Sequence, residues 1–126
     1  MKNVRMTICL VAAVLVMVAG QGLGTIEFKD GGTYNINYPV CDDVWVDYQA
    51  PGMQTTVNFL AGAEIPHPYT LQGYNNSRFN ISGGYLSYLD AYDSSQVTIL
   101  LGGWVGGYVF PHSSSKVVMS GGFVSN

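Results

Sequence analysis

The sequence predicts an all-β protein, a short parallel β-helix or solenoid with coils of about 20 residues, preceded by a signal peptide. Three observations lead there. Gly-Gly pairs recur at 83–84, 102–103 and 121–122, at spacings of 19 and 19 residues. Ahead of each pair, apolar residues fall at every second position, Phe79 and Ile81, Val97 and Ile99, Val117 and Met119, which is the period of a strand with one buried face. The N-terminal fifth of the 126-residue chain is set apart by a basic start and an apolar run.

Taking the chain in order, Lys2 and Arg5 precede an unbroken run of 12 apolar residues, 8–19, and small residues follow at Ala19, Gly20, Gly22 and Gly24. That sequence of regions describes a secretory signal peptide. A membrane-spanning helix needs ~18 to 20 apolar residues, and Gly20-Gln21-Gly22 interrupts the run before that length. Residues 1–20 are therefore read as the signal, with cleavage after Gly20 or as late as Gly24, and the mature protein is expected to be secreted or held at the cell surface. Without that segment three basic residues face eight acidic ones, a net charge of −5. A nucleic-acid partner is not expected, because phosphate binding runs on clustered Lys and Arg. Cys9 lies in the apolar run, which leaves Cys41 as an unpaired small hydrophobe with no disulfide to staple the fold.

Residues 21–54 read as an irregular N-terminal cap or a degenerate first coil, with turn signals at Gly31-Gly32, Pro39 and Pro51-Gly52. Repeats then begin at 55, 77, 95 and 115, the last incomplete. Those at 55 and 95 carry one more residue before the glycine than those at 77 and 115, which predicts a β-bulge. A unit this small cannot bury its apolar face alone, but stacked copies can. The rival fold is a small antiparallel sandwich, which also has short strands and glycine turns.

Aligning the copies aligns Tyr85, Trp104 and Phe123 behind the Gly pair, and Tyr74, Tyr92 and His112 in a second column. Such columns read either as ladders of stacked rings or, for Tyr85, Trp104 and Phe123, as an outward platform for the apolar faces of sugars. No catalytic residue is proposed. Asp90 and Asp93 have no carboxylate partners in the next repeat, whereas polysaccharide cleavage needs acid and base together. Asp42, Asp43 and Asp47 read as solvated turns, and Arg78, Gln96 and Lys116 as one exposed column. His67, in an apparent insertion between Pro66 and Pro68, and His112 are 45 residues apart without acidic neighbours at ligand spacing, so no metal or other cofactor is expected. Asn75-Asn76-Ser77 and Asn80-Ile81-Ser82 match the N-glycosylation triplet.

With the copies aligned, the pattern Ser-x-Val-x-Ile-Ser-Gly-Gly-x-Leu resembles the repeats of exported bacterial parallel β-helix proteins, some of which carry a sorting tag of the PEP-CTERM kind. The resemblance covers residues 55–126 and, more loosely, the signal segment. It implies the fold but no single activity, since such proteins include adhesins, surface-layer components and polysaccharide lyases. No lyase signature finds a match, and neither a sorting tail nor a closing cap follows the last repeat. The expectation is a noncatalytic exported or cell-surface solenoid with a scaffold or adhesive role, or a piece of a longer repeat protein, self-associating through its open C-terminal coil. The alternative is a carbohydrate-binding or polysaccharide-processing β-helix that uses the aromatic strip.

Overall fold

In a computed structural model, residues 24–125 are described, and they form twelve strands with no helix. The expected signal peptide, 1–20, lies outside the described residues. The strands are β1 (Thr25–Phe28), β2 (Thr33–Ile36), β3 (Asp43–Val46), β4 (Thr56–Phe59), β5 (Glu64–Gly73) and β6 (Arg78–Ile81), followed by β7 (Tyr85–Ala91), β8 (Gln96–Ile99), β9 (Trp104–Val105), β10 (Val109–Pro111), β11 (Lys116–Met119) and β12 (Phe123–Val124). They fall into two parallel sheets. One runs β1-β3-β5-β7-β9-β12 with β10 also paired to β7, and the other runs β2-β4-β6-β8-β11. The chain alternates between the sheets, so each strand lies beside its copy one coil away, and the result is a β-solenoid of about five turns. The antiparallel sandwich is excluded because every strand pair is parallel.

Register explains the core. Inward side chains stack in columns that run from coil to coil: Ile36, Phe59, Ile81, Ile99 and Met119 in one, Tyr34, Val57, Phe79, Val97 and Val117 in the next. The facing sheet contributes Ile26, Val44, Leu71, Leu89 and Val109, and then Ile65, Leu86, Val105 and Val124. Most of these are fully buried and form one continuous apolar cluster. Column neighbours trade volume across the core. At Gly73 a Cβ would collide with the ring of Phe79, so the absence of a side chain there admits that bulky ring from the opposite sheet.

Two kinds of corner join the sheets. At 74–77, 92–95 and 112–115 a four-residue turn closes with the amide of Ser77, Ser95 or Ser115 donating to the carbonyl of Tyr74, Tyr92 or His112, each at 3.1 Å. Its second residue is left-handed, and Asn75, Asp93 and Ser113 take that role with φ of 53°, 56° and 56°. Asn and Asp tolerate this region best among residues with a Cβ. The other corner carries the Gly pair, and at Gly84 both demands meet: φ is +73°, and a Cβ would lie 2.4 Å from the Ala63 carbonyl oxygen.

The expected β-bulge is corrected here. The strands β4, β6, β8 and β11 pair without any slip. The additional residue is taken up at the glycine corner, which spans 60–63 and 100–103 in two coils and 82–84 and 120–122 in the others. A corner faces solvent and makes no ladder, so it absorbs a residue at less cost than a strand. The coil from 77 to 95 is therefore minimal, at 18 residues. The coil from 55 is longer by that one corner residue and by three at the insertion 66–69, where β5 slips against β7 between Ile65 and Thr70. The coil from 95 is longer by one corner residue and one near Gly106-Gly107, since Val105 pairs with Leu86 and Val109 with Leu89.

Candidate binding face

The three acidic residues expected in solvated turns have other work. Asp47 is fully buried and Asp42 nearly so. Asp47 accepts from the Thr55 amide at 2.8 Å and the Thr55 hydroxyl at 2.6 Å. Asp43 accepts from the amide and hydroxyl of Thr70, at 2.9 and 3.1 Å, and Asp42 from the amide of Gly24 at 3.1 Å. Thr70 follows the insertion, and Thr55 ends the long turn at 47–55. These are the places where the coil-to-coil ladder is interrupted and an amide loses its carbonyl partner. A buried amide left without an acceptor is costly, and a carboxylate is the strongest side-chain substitute. These carboxylates are structural groups, spent on backbone donors.

Cys41 is buried as expected of a small hydrophobe, but it is not a free thiol; the reading of it as an unpaired cysteine is corrected. Both glycosylation triplets are committed to structure. The side-chain amide of Asn75 donates from Nδ2 to the Asp47 carbonyl at 2.6 Å. Asn80 is a rung of an amide ladder, donating to Asn58, which donates in turn to Asn35, both at 2.9 Å. That ladder and the column Thr56, Arg78, Gln96, Lys116 make the outer face of the β2-β4-β6-β8-β11 sheet polar.

The opposite sheet presents aromatic rings. Tyr85, Trp104 and Phe123 are neighbours in register, with ring centroids 5.2 and 6.4 Å apart and planes at 86° and 72°. Trp104 is 42% and Phe123 57% exposed. Tyr74, Tyr92 and His112 stack face to face, at 4.9 and 4.4 Å with planes within 7°, and Tyr48 and Trp45 extend the column edge-on. A third column went unseen in the sequence. Tyr88 and Tyr108 stack at 5.1 Å, Tyr88 meets His67 Nδ1 through its hydroxyl at 2.9 Å, and Phe110 links Tyr108 to His112. The signal existed, since Tyr88 follows Tyr85 by three residues and Tyr108 follows Trp104 by four, but the additional glycine at 106–107 hid the alignment.

Two carboxylates, Asp90 and Asp93, lie beside the Tyr74-Tyr92-His112 column. Burial, and then the neighbouring Tyr92, Tyr48, Asp90 and Asp93, push the Tyr74 hydroxyl up to about 12. Tyr92 is raised by burial and by Asp90. Asp90 hydrogen-bonds His112 Nε2 at 3.3 Å, and Asp93 accepts from the backbone amide of Asn75 at 2.9 Å. Ring faces in the stacked columns are used on one another, so those columns offer edges and hydroxyls outward. The perpendicular rings of Tyr85, Trp104 and Phe123 leave more face uncovered. Among the described residues no three His, Cys, Asp or Glu side chains gather where a metal ion could sit.

Comparison with known protein families, curated proteins and solved structures finds no match to this chain.

Proposed function

We propose that this chain is a noncatalytic β-solenoid that acts outside the cell as a scaffold or adhesive surface, in the manner of the exported bacterial β-helix proteins whose repeats it resembles. The observation that carries this reading is the division of the molecule into a polar face and an aromatic one. Of the side chains that could do acid-base chemistry, Asp42, Asp43, Asp47 and Asp93 hold backbone amides, while Asp90 pairs with His112 and His67 with the Tyr88 hydroxyl. What remains available is the surface of rings, and exposed aromatic area of that kind is the usual anchor of a binding face. Two measurements test it. The N-terminal residue of the protein recovered from secreting cells should lie between 21 and 25; recovery of an intact Met1 inside the cell overturns export. Turnover of any polysaccharide by the purified chain overturns the noncatalytic reading.

A second reading is favoured by the exposure of Trp104 and Phe123. With Tyr85 they form the strip best suited to the apolar face of a sugar ring, and the ligand is then a glycan. The double substitution Trp104→Ala, Phe123→Ala should abolish retention on immobilised polysaccharide while the β circular-dichroism signal stays unchanged. Retention that survives the substitution removes the strip as the binding site.

A further inference from the structure

We propose that Asp90 and the rings around it bind the protonated amine of an amino sugar, so that the glycan taken up by this face is a cationic one. The proposal rests on the second reading above for the sugar ring and on Asp90 for the charge. Along β7, Asp90 stands outward between Tyr88 and Tyr92, its side chain 18% exposed. Phe110 is its partner in register in the next coil, with Tyr108 and His112 to either side. The five rings Tyr88, Tyr108, Phe110, His112 and Tyr92 meet in an unbroken arc about the carboxylate, with successive centroids 4.4 to 6.2 Å apart. Tyr108 and Phe110 are each 48% exposed, so the arc is open to solvent.

The carboxylate has acceptor capacity to spare. Its one hydrogen bond among the described residues is to His112 Nε2, at a long 3.3 Å, whereas an ionised carboxylate can accept about four. Gln72, its register partner in the coil before, spends its amide on the Thr70 hydroxyl and the Tyr74 hydroxyl instead. No Lys or Arg lies on the strands of this sheet, β1, β3, β5, β7, β9, β10 and β12. Among the described cations, Lys29 is paired with Glu27, and Arg78 and Lys116 belong to the outer face of the other sheet. The positive charge that complements Asp90 therefore comes with the ligand.

The surroundings choose the kind of cation. A hard metal ion wants several oxygen ligands, and Asp90 offers a single carboxylate. Set inside an arc of rings, that carboxylate suits an organic ammonium group, which donates N–H to the oxygens and turns its remaining surface to ring faces within about 6 Å. Continuity along the face favours an amino sugar over a lysine side chain as the source. Tyr85 opens β7 and begins the strip Tyr85, Trp104, Phe123. It lies five residues from Asp90 on the same strand, about 16 Å at strand spacing. A chain of amino-sugar units reaches both, laying an apolar ring face on the strip and an ammonium group against Asp90, whereas a lysine-bearing peptide answers Asp90 alone.

Retention of the full chain on immobilised poly-glucosamine with its amines protonated, and on the same polymer fully N-acetylated, tests this. The wild type should bind the charged polymer more tightly by about tenfold or more. Asp90→Asn should bring the two polymers level while binding to the acetylated one stays as in the wild type. Phe110→Ala, which changes no charge, should lower the preference severalfold, and Glu27→Gln, which removes a charge outside the arc, should leave it intact; each variant should keep its β circular-dichroism signal. The double substitution Trp104→Ala, Phe123→Ala reads the strip separately and should weaken both polymers alike while keeping their ratio. A ratio kept without any weakening removes the strip and leaves the ammonium site standing. Equal binding of the two polymers by the wild type, a preference that survives Asp90→Asn or Phe110→Ala, one that Glu27→Gln also abolishes, or equally tight retention on polylysine overturns the proposal.

Discussion

At the scale of single residues, two buried polar groups in the same corner make opposite predictions. Asp47 accepts two hydrogen bonds from Thr55 in the interior, and its own amide and carbonyl are bonded as well, to Phe28 and Asn75. Replacing it with Ala strands the Thr55 amide and hydroxyl, and should cost about 2 to 4 kcal/mol in urea unfolding. Ser95 is equally buried, but its hydroxyl has no hydrogen-bond partner among the described residues. Ser95→Ala removes that unpaired group along with its desolvation cost and should leave stability unchanged or higher in the same assay. The tyrosine column supplies a pH signature. Tyr74 titrates near 12 in the fold against an ordinary value of 10.0. Its neutral form is the one the fold favours, so the stabilisation is fully present below the unfolded value and is lost as pH rises through the folded one. Stability should therefore be insensitive to Tyr74 through neutral pH and fall between about 10 and about 12, with part of the fall removed by Tyr74→Phe; a tyrosinate absorbance titration paired with circular dichroism reads both.

Among the elements, the corners bear variation and the strands do not. The glycine corner at 100–103 differs from that at 82–84 by one residue, and Leu101 at its tip is 87% exposed. Deleting Leu101 converts Ile99-Leu100-Leu101-Gly102-Gly103-Trp104 into the spacing of Ile81-Ser82-Gly83-Gly84-Tyr85. The shortened protein should fold with a change of about 1 kcal/mol or less, since no ladder bond or buried contact depends on that residue, whereas deleting Thr98 from β8 would turn every later inward residue of that strand outward. The same distinction explains what could be read from the sequence. Strands β4, β6, β8 and β11 were legible because period-two alternation and a following glycine recur without slip. The strip Tyr85, Trp104, Phe123 was legible because it abuts that marker. Tyr88 and Tyr108 were not, because they lie beyond an insertion that breaks the count. Nor could the sequence show that Asp42, Asp43 and Asp47 accept from backbone amides, because those contacts, 18, 27 and 8 residues away in sequence, appear only when coils are laid against one another.

For the whole molecule, energy is arranged along one axis. Each coil touches the one before and the one after, so stability grows by neighbouring interfaces and not by a single central core. A chain of this length buries only a modest share of its surface, and the two end layers weigh heavily in the balance.

The coil from 77 to 95 has a consequence for inheritance. Because 18 residues bring the chain back to the same column on both sheets, a segment of that length behaves as a unit of currency for recombination. A genetic event that copies or removes it in frame changes the length of the rod by one strand spacing, about 4.8 Å, and leaves both outer faces and all the interior columns in phase. An event of any other length must find a corner willing to hold the remainder. Molecules built this way can be lengthened by duplication without redesigning anything already in place.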